Sequence, residues 1–342
     1  MVTVTSRHHL ARRPTAYLQA GLIGAIGLLF LCAIASITFG STNIDLQSIQ
    51  AAVTDFNGST EHLIIRTLRI PRSITAMLAG SAIAVAGALM QGITRNPLAD
   101  PGILGVNSGA ALAVVGTVFL LDSPSLSLYA GAALVGAAIS AAIVYCLGSL
   151  GRGGLTPLNL TITGAAFAAF ASSLTTGVLI VSQQTLDEIR FWLAGSVAGR
   201  DFNLVLQVLP YSIFGLAIAL MLGQSLTVLS LGEDIARGLG QRTAWVKGLS
   251  ILSIVLLAGS SVAIAGPIGF VGLIVPHLIR FWVGGDYRWL LPYSAITGAI
   301  LLLVADIMGR SILQPQELPV GLIMPILGAP FFIYLSRWHI KQ

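Results

Sequence analysis

Charge is what this sequence has least of. Only 9% of its 342 residues are Asp, Glu, Lys or Arg, where a water-soluble domain carries roughly 25%. With 55% hydrophobic residues and a mean hydropathy of +0.88, one aqueous core cannot hide the apolar surface, so lipid must be the solvent over much of the chain. Cysteine is nearly missing too. Cys32 and Cys146 both lie inside apolar runs, which excludes a disulfide framework and leaves two small hydrophobes in helices. No GxxxxGK[ST] phosphate loop is present, so the chain does not bind and hydrolyse ATP by that route. Nor is there an HExxH, a Ser/His/Asp set or a ligand cluster, which removes an enzymatic reading. The net charge of +5 comes from residues scattered at the ends of apolar runs. That placement reads as membrane topology and not as a nucleic-acid surface.

What is there is a series of long charge-free runs: 14–44, 73–94, 101–121, 123–151, 153–186, 202–232, 248–279, 289–305 and 318–336. A helix crosses the hydrocarbon layer with about 20 apolar residues. The run 248–279 is broken in its middle by Gly266-Pro267, where proline removes a backbone donor and clashes with the preceding turn. Splitting it predicts ten spans in an all-α, polytopic fold. Residues 1–15 and 338–342 are expected as short tails and 16–337 as one transmembrane domain. Arg7, Arg12 and Arg13 ahead of the first run could mimic an export signal. That run is longer than a signal-peptide core, so a retained first span is expected. Asp100-Pro101 and Thr156-Pro157 each place a capping residue before a proline at the first helical position, and Ile70-Pro71 opens the second span in the same way.

Ten spans put both termini on one side. With the N-terminus inside, Arg66, Arg69, Arg72, Arg190, Arg200 and Arg310 fall outside, and the other twelve of the 18 Lys and Arg residues fall inside. That obeys the positive-inside rule, and the acids Asp45, Asp55, Glu61, Asp122, Asp187, Glu188, Asp201 and Glu317 lean outward. Both termini are therefore expected in the cytoplasm. An internal repeat is visible as well. GSAIAVAG at 80–87 matches GSSVAIAG at 259–266. The copies fall in spans of opposite direction, the inverted plan of many transport proteins.

Three segments carry most of the polar pattern: RIPRSITAMLAGSAIAVAGALMQGITRNPLADPGILGVNSG at 69–108, SLGEDIARGLGQRT at 230–243, and GPIGFVGLIVPHLIR at 266–280, followed by ADIMGR at 305–310 and ELPVG at 317–321. Glu233 and Asp234 sit near a helix start, where the dipole favours acids. Gly238 and Gly240 can end that helix. Asp306 is the carboxylate placed within a span, four residues before Arg310, the helix spacing for an ion pair. That spacing favours a structural pair over a proton relay.

The order and spacing of these segments resemble the FecCD family, the permeases of iron-siderophore, haem and cobalamin ABC importers, over roughly residues 60–336. The resemblance implies an inner-membrane permease without its own ATPase, with ATP and Mg on two separate ATP-binding subunits and no cofactor in this chain. It implies a second permease subunit, a copy or a paralogue, and an extracytoplasmic substrate-binding protein. By the same resemblance, Glu233, Asp234, Arg237, Gly238 and Gly240 form a coupling helix that docks on the ATPase. Arg69, Arg72 and Arg310 form a basic collar for the binding protein. Asn96, Leu98 and Thr156 line a cytoplasmic gate. An ion-coupled secondary transporter would also suit an inverted repeat, but the spans lack a set of buried acids to carry the ions.

Overall fold

Apolar runs in lipid must satisfy their own backbone hydrogen bonds, and the computed structural model of the chain does so with helices. It describes residues 14–40, 44–121, 125–150, 156–314 and 316–339. The predicted N-terminal tail up to residue 13, with its three arginines, and the last residues 340–342 lie outside the described residues, as do Asp122 and Arg152. No strand occurs among the described residues.

Among the described residues, seven helices are long and apolar enough to cross a membrane: α1 (Thr15–Thr38), α4 (Ile70–Thr94), α6 (Leu126–Ser149), α7 (Pro157–Val181), α9 (Phe202–Met221), α12 (Thr243–Ala265) and α14 (Tyr287–Ile312). Three shorter apolar stretches stand where the other expected spans fall: α5 (Val106–Leu120), α13 (Val271–Val283) and Val320–Phe331, the first part of α15 (Val320–His339). The remaining helices are short: α2 (Leu46–Thr54), α3 (Thr60–Ile64), α8 (Gln183–Leu193), α10 (Gly223–Ser230) and α11 (Glu233–Gly238). The predicted break at Gly266-Pro267 is real. α12 ends at Ala265 and α13 begins at Val271.

Three boundaries differ from the sequence reading. Pro71 does not begin its helix. The helix starts upstream at Thr60 and passes through a π turn over Ile65–Arg69 before α4. A wider turn accommodates a proline ring that would otherwise press on the carbonyl four residues back. The run 153–186 holds one span and then a separate helix. Ser182 caps α8, its Oγ accepting from the Thr185 backbone N–H at 3.2 Å. The run 202–232 likewise breaks at Leu222, between α9 and α10.

The most buried helices, α4 and α12, carry the two repeated segments and pack side by side. Ser261 Oγ reaches the Ala79 carbonyl at 3.4 Å, and at the other end of the pair Thr94 and Lys247 line one cavity, so the helices run antiparallel. α4 also packs on α14 through Gly80 and Gly298. A Cβ on either glycine would run into the backbone carbonyl of the other, so this close approach requires glycine on both helices. α1 and α7 bury little and expose Ile23, Phe30 and Leu31, and Ile162, Phe170 and Ile180. Where helices end inside the bundle, their backbones satisfy one another. Ser196 N–H donates to the Ala265 carbonyl and Gly321 N–H to the Gly195 carbonyl, both at 2.8 Å.

Candidate functional sites at the two ends of the bundle

At one end of the bundle, helix α1 finishes with carbonyls that no further turn can satisfy. Two arginines from elsewhere fill that role. Arg69 donates to the carbonyls of Ile37 and Thr38. Arg310 donates to Ser36 and Phe39 carbonyls at 3.0 and 2.9 Å and to Ser36 Oγ at 3.0 Å. Cations at a helix C-terminus also oppose its dipole favourably. Both side chains are thereby buried, Arg69 at 6% and Arg310 at 3% exposure.

Asp306 lies between them and Arg72. Its carboxylate pairs with Arg310 at 3.0 Å, as the spacing predicted, and also with Arg72 at 2.8 Å. Arg72 continues to Glu317 at 2.6 Å. Asp306 is 1% exposed. A buried carboxylate between two guanidiniums is compensated, and removing it would leave Arg310 without its ion-pair partner away from water. The three collar arginines thus come together in space, but Arg69 and Arg310 spend their donors on α1 and Asp306. Of the three, Arg72 is the one that lines the open cavity at this end.

That cavity, about 330 Å³, is bounded by the α8 helix, the 196–200 loop, the start of α6 and residues 317–319. Tyr129 donates from its hydroxyl to Glu188 at 2.6 Å across it. Arg200 reaches the Ser196 carbonyl at 3.3 Å.

At the opposite end, α11 carries the charged segment picked out by sequence. Glu233 accepts from Arg237 at 2.7 Å, from Lys247 of α12 at 2.6 Å and from the Thr243 hydroxyl at 3.2 Å. The Lys247 hydrogen bond, helped by the charges of Lys247 and Arg237, holds the Glu233 carboxyl below its ordinary range. The helix ends in a Schellman motif. Gly240 N–H donates to the Arg237 carbonyl and Gln241 N–H to the Ala236 carbonyl, each at 2.9 Å, with Gly240 at φ +81°. Gly240 is the residue that stops the helix. Gly238 is its last helical residue, and a side chain there would meet open space.

Asp234 and Arg237 face solvent. So do apolar neighbours that the sequence reading passed over: Leu231, Ile235, Leu239 and Trp245 are each more than half exposed. The one-turn spacing of Ile235 and Leu239 was the available signal. An apolar patch rimmed by charge on a short surface helix is the form of a docking surface.

The three gate candidates sit at this same end, around the foot of α4. Asn96 Oδ1 accepts from Leu98 N–H at 3.0 Å in an Asx turn. Leu98 faces a small cavity with Phe270, Leu273 and Phe331. Thr156 caps α7, accepting from Asn159 N–H at 3.1 Å, and lines a second small cavity with Thr94 and Lys247. The structure brings all three to one end, with Leu98 and Thr156 in separate cavities and Asn96 lining neither.

Seven apolar helices of membrane-spanning length among the described residues, broken helices that satisfy each other inside the bundle and charged surfaces at both ends define a membrane permease and not a soluble or lipid-anchored protein. Comparison with known proteins narrows the class. The model of the FecCD transport family matches residues 28–338. The "Probable siderophore transport system permease protein YfiZ" of Bacillus subtilis is 49% identical over 92% of this chain and 95% of its own length. The ferric enterobactin transport system permease protein FepD of Escherichia coli is 41% identical over 92% and 95%. A solved structure of an inward-facing metal-chelate type ABC transporter superposes with a TM-score of 0.83 at 30% identity, covering 93% of this chain and 99% of that one. The chain belongs to the FecCD transport family.

Proposed function

We propose that this chain is the membrane-spanning subunit of an ATP-driven importer that moves an iron-siderophore or related metal chelate into the cytoplasm. The observation that carries the reading is α11, a short helix clamped to the bundle by Glu233 and presenting Ile235, Leu239, Asp234 and Arg237 outward. A chain without a phosphate loop needs an outside engine, and this surface is where two ATP-binding subunits, holding ATP and Mg, would push. Their closure would rock the helices between outward- and inward-open states. The α11 end and both termini are cytoplasmic in this reading, because most of the Lys and Arg residues gather there.

The Arg72 end then faces outward and receives the substrate-binding protein. Arg72 lines the open surface there, Arg310 supports it through the shared Asp306, and Arg69 anchors the end of α1. Opposite charges across such a contact steer encounter and fix register more than they add affinity. α7, with little of its surface buried, offers a face to a second permease subunit, either a copy or a paralogue. Asn96, Leu98 and Thr156 stand at the cytoplasmic mouth as gate residues. The ion-coupled alternative draws no support from Asp306, since a carboxylate held by two guanidiniums is a poor carrier of protons or sodium.

The test is uptake of ferric chelates into proteoliposomes holding this chain, a candidate ATPase and a binding protein. ATP-dependent accumulation that an ion gradient cannot replace is expected. Accumulation driven by an ion gradient without nucleotide would sink the reading.

A further inference from the structure

Helix α13 carries a proline in its interior, and the consequence reaches α4. Pro276 has no N–H, so the Gly272 carbonyl one turn earlier lacks the donor that an unbroken helix would supply. Gln91 of α4 takes that place. Its Nε2 donates to the Gly272 carbonyl at 3.1 Å, and the residue is only 2% exposed. Gly87, one turn before Gln91, makes the reach possible, because a Cβ there would run into the same carbonyl.

The acceptor side of the Gln91 amide is used as well. Oε1 accepts from Arg280 Nη1 at 2.6 Å, and Arg280 Nη2 donates to the Tyr287 hydroxyl at 3.0 Å. Tyr287 opens α14, and its backbone N–H donates to Thr227 Oγ1 of α10 at 2.9 Å. The same helix is gripped from α11. Gln241, which closes the Schellman turn, donates from Nε2 to the Ser225 carbonyl at 2.9 Å. A row of hydrogen bonds therefore runs from the end of α11 through α10, α14 and α13 to α4.

The row ends beside the joint between α12 and α13. There Gly266 and Phe270 both have positive φ, +72° and +69°. That region is costly for phenylalanine, and such a conformation persists only where the surroundings hold it. Phe270 is the residue before α13 and borders the small cavity that Leu98 faces.

We propose that Gln91 is a positioning residue for transport. It ties the start of α13 to α4 and, through Arg280 and Tyr287, to the seat of α11, so that a push on α11 carries the 266–270 joint and the Leu98 cavity with it. The transport role rests on the importer reading above. An amide suits the place because one side chain must donate to a carbonyl and accept from a guanidinium at once.

The test uses the assembled importer, this chain with its ATPase and binding protein, in proteoliposomes, reading ATP hydrolysis and chelate uptake from the same vesicles. In Gln91→Leu hydrolysis should persist while uptake per ATP falls about tenfold, within the range of ordinary couplings between sites. Tyr287→Phe, which removes only the hydroxyl, should lower the ratio severalfold and carries the test if Gln91→Leu fails to fold. Ser253→Ala removes an equally buried bond outside the row, to the Gly215 carbonyl at 2.7 Å, and should leave the ratio unchanged. An unchanged ratio in both Gln91→Leu and Tyr287→Phe, or the same fall in Ser253→Ala, would overturn the proposal. A second arm needs neither nucleotide nor cargo. In the full chain in nanodiscs, loosening α11 with Glu233→Gln should speed hydrogen exchange over 266–274, and Gln91→Leu should abolish that response. Exchange at the joint indifferent to Glu233→Gln would overturn the tie and leave the importer reading standing. A wild-type assembly that shows this exchange response but no ATP-driven uptake would sink the importer reading and not the tie.

Discussion

Arg72 and Asp306 stand 234 residues apart in the chain and meet at 2.8 Å. This pair fastens α4 to α14 at one end of a packing seam whose middle is the glycine contact of Gly80 with Gly298. The seam thus combines a buried charge cluster with a close backbone approach. The glycines let the two backbones approach closely, and the ion pair links the same two helices at their end.

Asp306 holds both Arg72 and Arg310, whereas Arg72 shares itself between Asp306 and Glu317. The two ends of the pair are therefore unequal. Asp306→Ala takes the paired carboxylate from Arg310 and leaves Arg72 with Glu317 alone, and should cost about 3–5 kcal/mol. Arg72→Met leaves Asp306 still paired with Arg310 and should cost clearly less. Thermal unfolding of the two variants in nanodiscs checks the order, and an Arg72 variant that is the less stable of the two would refute it.

Gly80→Val sets a branched side chain against the Gly298 carbonyl. Overpacking of this kind costs typically 1–3 kcal/mol, and more where backbone is the obstacle. Reduced accumulation in the membrane and a lowered melting temperature are expected. Gly116→Ala, where an added Cβ meets nothing within 4 Å, should change neither.

Much of this architecture was legible in advance. Charge-free runs marked the spans because charge inside lipid is expensive, and Gly266-Pro267 marked the break because proline cannot sustain a helix interior. Local chemistry also gave the Asp306–Arg310 pair and the caps at Asp100 and Thr156. Apolar runs without charge could not show that 153–186 and 202–232 each contain an extra short helix, because a capping Ser182 looks like any other serine in such a run. Nor could it show that Arg69 and Arg310 are turned inward. Their acceptors are the last carbonyls of α1, more than 30 residues from one and more than 270 from the other, and only tertiary packing brings them near. At α11 the charges drew the reading toward Glu233 and away from Ile235 and Leu239, whose one-turn spacing was present in the sequence.

The two glycines after Glu233 should behave differently. Gly240 adopts a left-handed conformation at φ +81°, which costs a side-chain-bearing residue roughly 1–2 kcal/mol. Gly238 is helical, with open space around it, so alanine there should be neutral or stabilising by up to about 1 kcal/mol. Gly240→Ala should loosen the C-terminus of α11 and lower ATP-coupled uptake, while Gly238→Ala leaves both intact. Hydrogen exchange over 233–243 reads the first effect directly. Equal exchange in the two variants would count against the Schellman assignment.

Glu233 gives the α11 clamp a pH dependence of known sign. Its carboxyl lies below an ordinary value of 4.5, chiefly through the Lys247 hydrogen bond. A depressed carboxyl contributes stability that is fully present above its unfolded value and is lost as pH falls through the folded one. The clamp should hold from neutrality down to about pH 5 and open as pH falls below that ordinary value. Protection of the 233–247 amides, corrected for intrinsic exchange, should fall in that window in the wild type. In Glu233→Gln it should be lower at neutral pH and show no such step. Protection that rises on acidification would contradict the pairing.

The exposed apolar residues of α11 carry the sharpest expectation about partners. Solvent-facing Ile235 and Leu239 contribute nothing to the bundle's core, so serine at either position should leave folding and membrane accumulation unchanged. If they insert into a pocket on an ATP-binding subunit, each truncation removes a central anchor, and anchors of this kind are worth about 2 kcal/mol or more. Co-purification with the ATPase should then weaken about tenfold or more, and ATP-driven uptake should fall with it. Leu313→Ser, equally exposed at the other end of the bundle, serves as the control and should leave ATPase capture intact. Capture that survives in the Ile235→Ser, Leu239→Ser double variant would move the engine's contact elsewhere on the same end, to Leu231 and Trp245 or to the foot of α4. Capture lost in Leu313→Ser would mean that the bundle stands the other way up in the membrane.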